Sequence, residues 1–203
     1  MKNKSFLMTV AISFIAMCSV AQVTGTFTDS RDGKVYKTVT IGKQTWMAEN
    51  LVCKANSGCW AYDSSATNVT KYGYLYDWET AKKVCPKGWH LPSDAEWTTL
   101  MNNLGGKDSA GFKMKTKSGW NGSNNGNNSS NFAGLPGGYR SIFFGRFVSF
   151  SDIGDYGFWW SSTENTKIDY VSAWAFVLEK QYGIAYLSSY QMTFGLSVRC
   201  IKD

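Results

Sequence analysis

Cys85-Pro86-Lys87-Gly88-Trp89-His90-Leu91-Pro92-Ser93-Asp94-Ala95-Glu96-Trp97 reads as the entry to a helix. Ser93 stands at the N-cap, and Glu96, three residues on, completes a capping box. Trp97, Leu100, Met101 and Leu104 follow at helical spacing, and Gly105-Gly106 stops the run. A cysteine therefore sits just before a well-signed helix. Ser197-Val198-Arg199-Cys200 places another in what reads as the final strand. A bridge between them closes a loop of roughly 115 residues, worth about 4–5 kcal/mol in the chain-entropy description if unstrained.

Upstream, the N-terminus has the pattern of an export signal. Lys2 and Lys4 precede an uncharged, mostly apolar run from Phe6 to Val20, and Ser19-Val20-Ala21 offers small residues before Gln22. The expectation is a signal peptide over residues 1–21 and a single domain over 22–203, secreted or displayed at the cell surface. Cys18 offers a lipid-anchored alternative at an outer membrane, although Met17 occupies the position where a small residue is usual. The apolar run is short for a membrane span. Loss of Lys2 and Lys4 takes the formal charge from +6 to +4. The remaining cations are scattered, with no basic stripe or helix, so nucleic acid is not expected as a partner.

Four cysteines remain, Cys53, Cys59, Cys85 and Cys200, and four cysteines allow three pairings. Cys53 and Cys59 are near enough in the chain to close a small loop, which leaves Cys85 for Cys200; free buried thiols are the rival reading. There is no C-x-x-C and only one histidine, so metal binding is not expected.

Thr26 to Glu49 alternates as a hairpin, with turns at Asp32-Gly33 and Gly42-Lys43. Leu51 to Tyr72 reads as loop, Tyr74 to Val84 as a short helix, and Asn121 to Asn131, nearly all Asn, Gly and Ser, as a flexible loop. Short strands follow over 158–163, 172–179, 184–189 and 195–201. Trp174, Phe176 and Leu178 alternate as a core face. The whole is α+β: two short helices and several short, mostly antiparallel strands, stapled by disulfides.

The blocks Thr26 to Tyr36, Gln44-Thr45-Trp46-Met47-Ala48-Glu49-Asn50-Leu51, Cys85 to Ser93, Leu135-Pro136-Gly137-Gly138-Tyr139-Arg140, Trp160 to Glu164 and Ser197 to Cys200 come in the order seen in the Fibrobacter succinogenes major paralogous domain family, which this chain resembles. That resemblance implies a C-type-lectin-like domain in an exported bacterial protein, with a cysteine near the first helices bridged to one in the last strand. It implies little about biochemistry.

Candidate chemistry is sparse. His90 would have to serve any Ser-His or Cys-His system, but its place in the helix-entry motif reads as structural. Formylglycine-generating enzymes share the broader fold and act through cysteines near the C-terminal part; here only Cys200 lies there. The calcium-binding triplets of lectins are missing: Glu164-Asn165 lacks the proline, and Trp120-Asn121-Gly122 lacks the aspartate. Asp152 and Asp155 read as a solvated turn. Gly137-Gly138 lacks the lysine and helix of a phosphate loop. No cofactor, metal or catalytic residue is expected.

What remains is the aromatic, polar C-terminal third. Tyrosine gives large contact area at low entropic cost. Some relatives resemble targets of diversity-generating retroelements, whose variable positions precede the closing Arg-Cys. By that likeness the ligand-binding positions are Asn165, Asp169, Tyr170, Gln181, Tyr182, Tyr186, Ser188, Ser189, Tyr190 and Gln191. The expected function is a non-catalytic binding module for a glycan or a protein. The alternatives are an enzyme on the formylglycine-generating fold and a structural envelope or adhesin component.

Overall fold

The structure, a computed structural model, describes residues 22–143, 145–167 and 171–203. The expected signal segment, Cys18, Asp169 and Tyr170 lie outside the described residues.

The chain opens with an antiparallel meander. β1 (Val23–Thr28), β2 (Val35–Ile41) and β3 (Gln44–Met47) pair in order, joined by the turns expected from Asp32-Gly33 and Gly42-Lys43. The last strand of the chain, β13 (Ile201–Lys202), inserts between β3 and β6 (Trp89–His90) and completes a five-stranded sheet. A second, longer sheet takes β4 (Cys59–Trp60), β5 (Leu75–Tyr76), β9 (Tyr156–Glu164), β10 (Ser172–Glu179), β11 (Ala185–Gln191) and β12 (Leu196–Ser197), in the order β11-β10-β9-β12-β5-β4. β7 (Gly137–Phe143) and β8 (Phe147–Ile153) form a hairpin hung on β9. Pairing is mostly antiparallel; β9 meets β7 and β12 in parallel.

The long sheet is buried on both faces in its middle strands. Ala173, Ala175 and Val177 of β10 belong to one apolar cluster with Phe158, Trp160 and Trp78. Phe176 and Leu178, pointing the other way, belong to a second with Trp46, Trp97, Phe132 and Trp159. In the second cluster Trp97 stacks on Phe176 with ring centroids 4.5 Å apart. Trp174, expected beside Phe176 in the core, is only half-buried, because β10 slips register against β9 between Ala173 and Ala175.

Among the described residues four α-helices form where two were expected: α1 (Ala66–Tyr72), α2 (Trp78–Val84), α3 (Asp94–Asn103) and α4 (Lys107–Met114), with a 3-10 turn at Tyr62–Ser64. α3 has the expected capping box: Ser93 Oγ accepts from Glu96 N at 3.3 Å, and Glu96 Oε2 accepts from Ser93 N at 2.7 Å. α1 is built from Thr, Asn and Val, weak helix formers that gave no sequence signal. α4 carries an interior glycine. A Cβ on Gly111 would stand 2.2 Å from the Ile184 carbonyl oxygen, so the glycine lets the helix lie flush on the turn before β11.

The Asn-rich segment, expected to be a free loop, is strapped along the end of α4. Gly126, Asn127, Asn128 and Ser130 donate their backbone N–H groups to Thr116, Phe112, Lys115 and Lys113 at 3.0–3.1 Å. Buried apolar surface is not what holds it; main-chain pairing is.

Cys85 and Cys200 are bridged. The expected Cys53–Cys59 bridge is not formed; both are thiols. The small loop holds each sulfur in its own surroundings. Cys59 starts β4 opposite Tyr76, and its sulfur accepts the Ala55 N–H. Cys53 lies within 4.8 Å of the carboxylates of Asp29 and Asp32. Strand pairing thus fixes Cys59, and a disulfide tolerates only a narrow geometry between its two residues.

Candidate functional site

Successive side chains of a strand point to opposite faces, so Tyr186, Ser188 and Tyr190 of β11 share one side of the long sheet. They lie opposite Val177, Ala175 and Ala173 of β10. Those small middle-strand side chains leave room for large rings on either flank. From β9, Phe158 meets Tyr190 edge-on at 5.4 Å and carries Tyr156 stacked at 5.5 Å. From β7, Tyr139 meets Phe158 edge-on at 5.3 Å and stacks on Phe194 at 5.8 Å. The result is a band in which Tyr139, Tyr156, Tyr186 and Tyr190 are each half-buried against the first apolar cluster. Burial, with Glu179 close by, pushes the Tyr186 phenol up to about 12, and burial does the same to Tyr190. Both remain neutral hydroxyls at physiological pH, able to donate and to accept. Sequence reasoning missed Tyr139, Tyr156 and Phe194, because only the pairing of β7, β9 and β11 brings them to this face.

The other expected ligand positions scatter. Ser189, opposite Trp174, points with Ala185 and Leu187 toward the second cluster. Gln181 and Tyr182 are exposed in the β10–β11 turn, and the Tyr182 carbonyl is occupied by the Lys115 ammonium. Gln191 turns into a separate cleft beside Thr193. Asn165, expected to touch ligand, is buried: its Oδ1 accepts from Lys167 N at 3.1 Å and its backbone N–H donates to Ser172 O, so it shapes the turn after β9.

Several polar groups are spent on the fold. Lys115, buried, donates to the carbonyls of Asn124, Glu179, Lys180 and Tyr182 at 2.9–3.2 Å and so ties the Asn-rich segment to the β10–β11 turn. Burial lowers its pKa. Asn50 Oδ1 accepts from Trp159 Nε1 at 2.8 Å and from Arg199 at 2.7 Å, while its Nδ2 donates to Tyr72 O at 2.7 Å. Asp155 accepts from Lys180 at 2.9 Å and from Asn121 at 2.8 Å, so it is more than a solvated turn residue.

His90 sits between two carboxylates, Nδ1 2.7 Å from Asp203 Oδ1 and Nε2 2.9 Å from Glu96 Oε1. Burial pulls its pKa down, but the two acids outweigh that and leave it raised. Ser93 Oγ bonds Glu96 rather than the imidazole. The ring is thus an ion-pair bridge between α3 and Asp203, with no serine or cysteine bonded to it among the described residues.

A cleft of about 600 Å³ runs between the 53–57 segment and α2. Two of its charges are paired: Arg31 chelates Asp29 at 2.6–3.2 Å and reaches Val84 O, and Glu79 pairs with Lys82 at 2.9 Å. Burial raises the pKa of Cys53 at its edge, which keeps the sulfur in its weakly nucleophilic thiol form.

Comparison with known proteins adds the family and nothing finer. No curated protein and no solved structure matches the chain. A family model, the Fibrobacter succinogenes major domain, matches residues 39–202, from within β2 to the end of β13. That span covers the long sheet, the helices α1 to α4, the Cys85–Cys200 bridge and the five-stranded sheet except β1 and the start of β2, so the chain belongs to the Fibrobacter succinogenes major domain family.

Proposed function

We propose that the protein is an exported, non-catalytic binding module of C-type-lectin-like fold, presenting the tyrosine band of its C-terminal sheet to a glycan or protein ligand at the cell surface or beyond it. The observation that carries this reading is the band itself. Three half-buried tyrosines, Tyr139, Tyr156 and Tyr190, are braced on Phe158 and Phe194, with Tyr186 packed on the same cluster, on a sheet whose end is bridged to the helix entry. Pre-set aromatic surface binds at low ordering cost. The disulfide supports an oxidising compartment.

The test is a glycan and protein array probed with the oxidised chain and with Tyr156→Ala/Tyr186→Ala. Tyr190 is spared because it supports Phe158. Capture by the wild type that disappears in the double variant, with unchanged thermal stability, supports the reading. Capture that persists undiminished places the ligand elsewhere. An enzyme of the formylglycine-generating type would instead turn over substrate, and activity sensitive to Glu164→Gln would favour it. A structural envelope component would leave the array blank and co-purify with cell-wall partners.

A further inference from the structure

A second cleft, about 410 Å³, opens at the end of the long sheet, and its walls include Trp60, Asp77, Arg140, Ile142, Gln191 and Thr193. Its unusual member is Arg140. The residue is 7 % exposed, its guanidinium lies flat over the Trp60 ring at 3.9 Å, and among the described residues its side chain makes neither a hydrogen bond nor an ion pair. A buried guanidinium is stable only when its donors are met. The nearest acid, Asp77, acts on it only at a distance, because Asp77 Oδ1 is engaged in capping α2 through Thr80 N at 2.8 Å. No Arg140 nitrogen is fully sealed from solvent, and the residue lines the cleft.

We propose that this cleft is a binding site for an acidic sugar, with Arg140 receiving the carboxylate of a hexuronate. A planar guanidinium takes a carboxylate in a two-pronged bond, stronger than a bond between neutral groups. Stacking on Trp60 holds the guanidinium in place, so little ordering is left for binding. A simple anion does not account for the rest of the wall. The Gln191 amide, the Thr193 hydroxyl and the Asp77 carboxylate are suited to hydroxyl groups, and Asp77 would repel a ligand that was anionic throughout. The ligand must therefore carry one acid and several hydroxyls, and Trp60 with Ile142 supplies the apolar surface against which a pyranose ring can lie. A peptide added to the sheet fits less well, because the backbone groups of Arg140 already pair with those of Gly195 at 2.8–2.9 Å. The cleft volume lies within the range of small-ligand sites. The proposal rests on the reading of the chain as a binding module but uses different residues from the tyrosine band.

The experiment titrates the full, oxidised chain with methyl β-D-glucuronide, methyl β-D-glucoside, acetate and a dipeptide with a free C-terminus. It follows the Trp60 indole and Arg140 side-chain N–H signals by NMR. The expected result is a saturable shift of both with the glucuronide, and at least about tenfold weaker binding of the other three. Arg140→Gln should weaken the glucuronide by about tenfold or more and leave the glucoside unchanged, with Arg140→Lys in between. Near-ultraviolet circular dichroism checks the fold; if Arg140→Gln does not fold, Gln191→Ala at the exposed rim should still weaken the glucuronide by about threefold. Four results overturn the proposal: no shift with the glucuronide; a glucoside that binds equally well; acetate that binds equally well, marking a bare anion spot; or the dipeptide binding best. Tyr156→Ala/Tyr186→Ala should leave the glucuronide shift intact, so this site and the tyrosine band can fail independently.

Discussion

Two arginines show how one fold treats the same side chain in opposite ways. Arg199 and Arg140 are both buried, and both guanidiniums stack on aromatic rings, Arg199 over Phe132 at 4.1 Å and Arg140 over Trp60 at 3.9 Å. Arg199 is spent within the fold. It donates to Asn50 Oδ1 and to the carbonyls of Phe132 and Ala133, beside the bridged Cys200. Burial draws its pKa down to about 9, only partly opposed by the charge of Glu49. Arg140 has the stacking without the hydrogen bonds, and it faces open volume. The two terminal nitrogens of Arg199 are met by the fold, although its Nε is left without a partner, whereas no side-chain nitrogen of Arg140 is met among the described residues; that difference separates a cation that holds structure from one left to meet a ligand.

The sharpest way to break this contrast is at the Arg199 end. Replacing Cys85 and Cys200 together by Ala removes the bridge that holds the final strands, and should cost about 4–5 kcal/mol. At about 2–4 °C per kcal/mol for a chain of this size, calorimetry should show a fall of roughly 10–20 °C. A loss near zero would mean that the network around Arg199 holds the chain end without the bridge. Arg199→Met strands two buried carbonyls while relieving the desolvation of the cation, for a net loss of roughly 2–4 kcal/mol in denaturant unfolding. Arg140→Gln should lose only the stacking, about 1 kcal/mol or less. Equal losses for the two arginine variants would erase the distinction.

A smaller effect is expected at His90, which lies where β6 meets β13. Its pKa is raised in the folded state, so its contribution is fully present below the ordinary value of 6.5 and fades as pH rises through the raised folded value. Glu96 is held low, its own burial outweighed by the Ser93 donors and His90, so its contribution is present above the ordinary 4.5 and fades as pH falls through its folded value. The bridge is therefore strongest between those two pH values. His90→Gln should flatten the stability–pH curve on the alkaline side, by a modest amount because the ring is partly exposed. The smallest effect concerns calcium. Lys115 already supplies the positive charge to four carbonyls, so millimolar calcium added after chelation should leave the melting temperature in place. A clear rise would reveal a native-state site that the Asp and Glu side chains build without the lectin triplets.

Much of the frame was legible in advance where its cause is local. Ser93 and Glu96 announce α3 within four residues, Asp32-Gly33 and Gly42-Lys43 announce the meander, and the alternation of 172–179 announces β10. α4 escaped notice because Gly111 argues against a helix until the Ile184 carbonyl is seen against it. The Asn-rich strap escaped because main-chain pairing leaves no trace in side-chain pattern. Of the expected ligand positions, Tyr186, Ser188 and Tyr190 came together because they share one strand's period. Asn165 was misread because a polar residue in a turn can be buried by its own local hydrogen bonds.

By itself, the sequence determined the class, α3, the opening meander and the family, and with the family the long bridge, because caps, turns and strand alternation act over a few residues and the Cys85 and Cys200 motifs mark their own ends. Only the tertiary structure decided what each cation does. Arg199 meets Asn50 across 149 positions of chain and Phe132 across 67, whereas Arg140 meets an aromatic ring and an open cleft. A hydrogen bond depends on angstrom-scale placement of two groups, and when those groups are distant in the chain, nothing short of the packed fold specifies it.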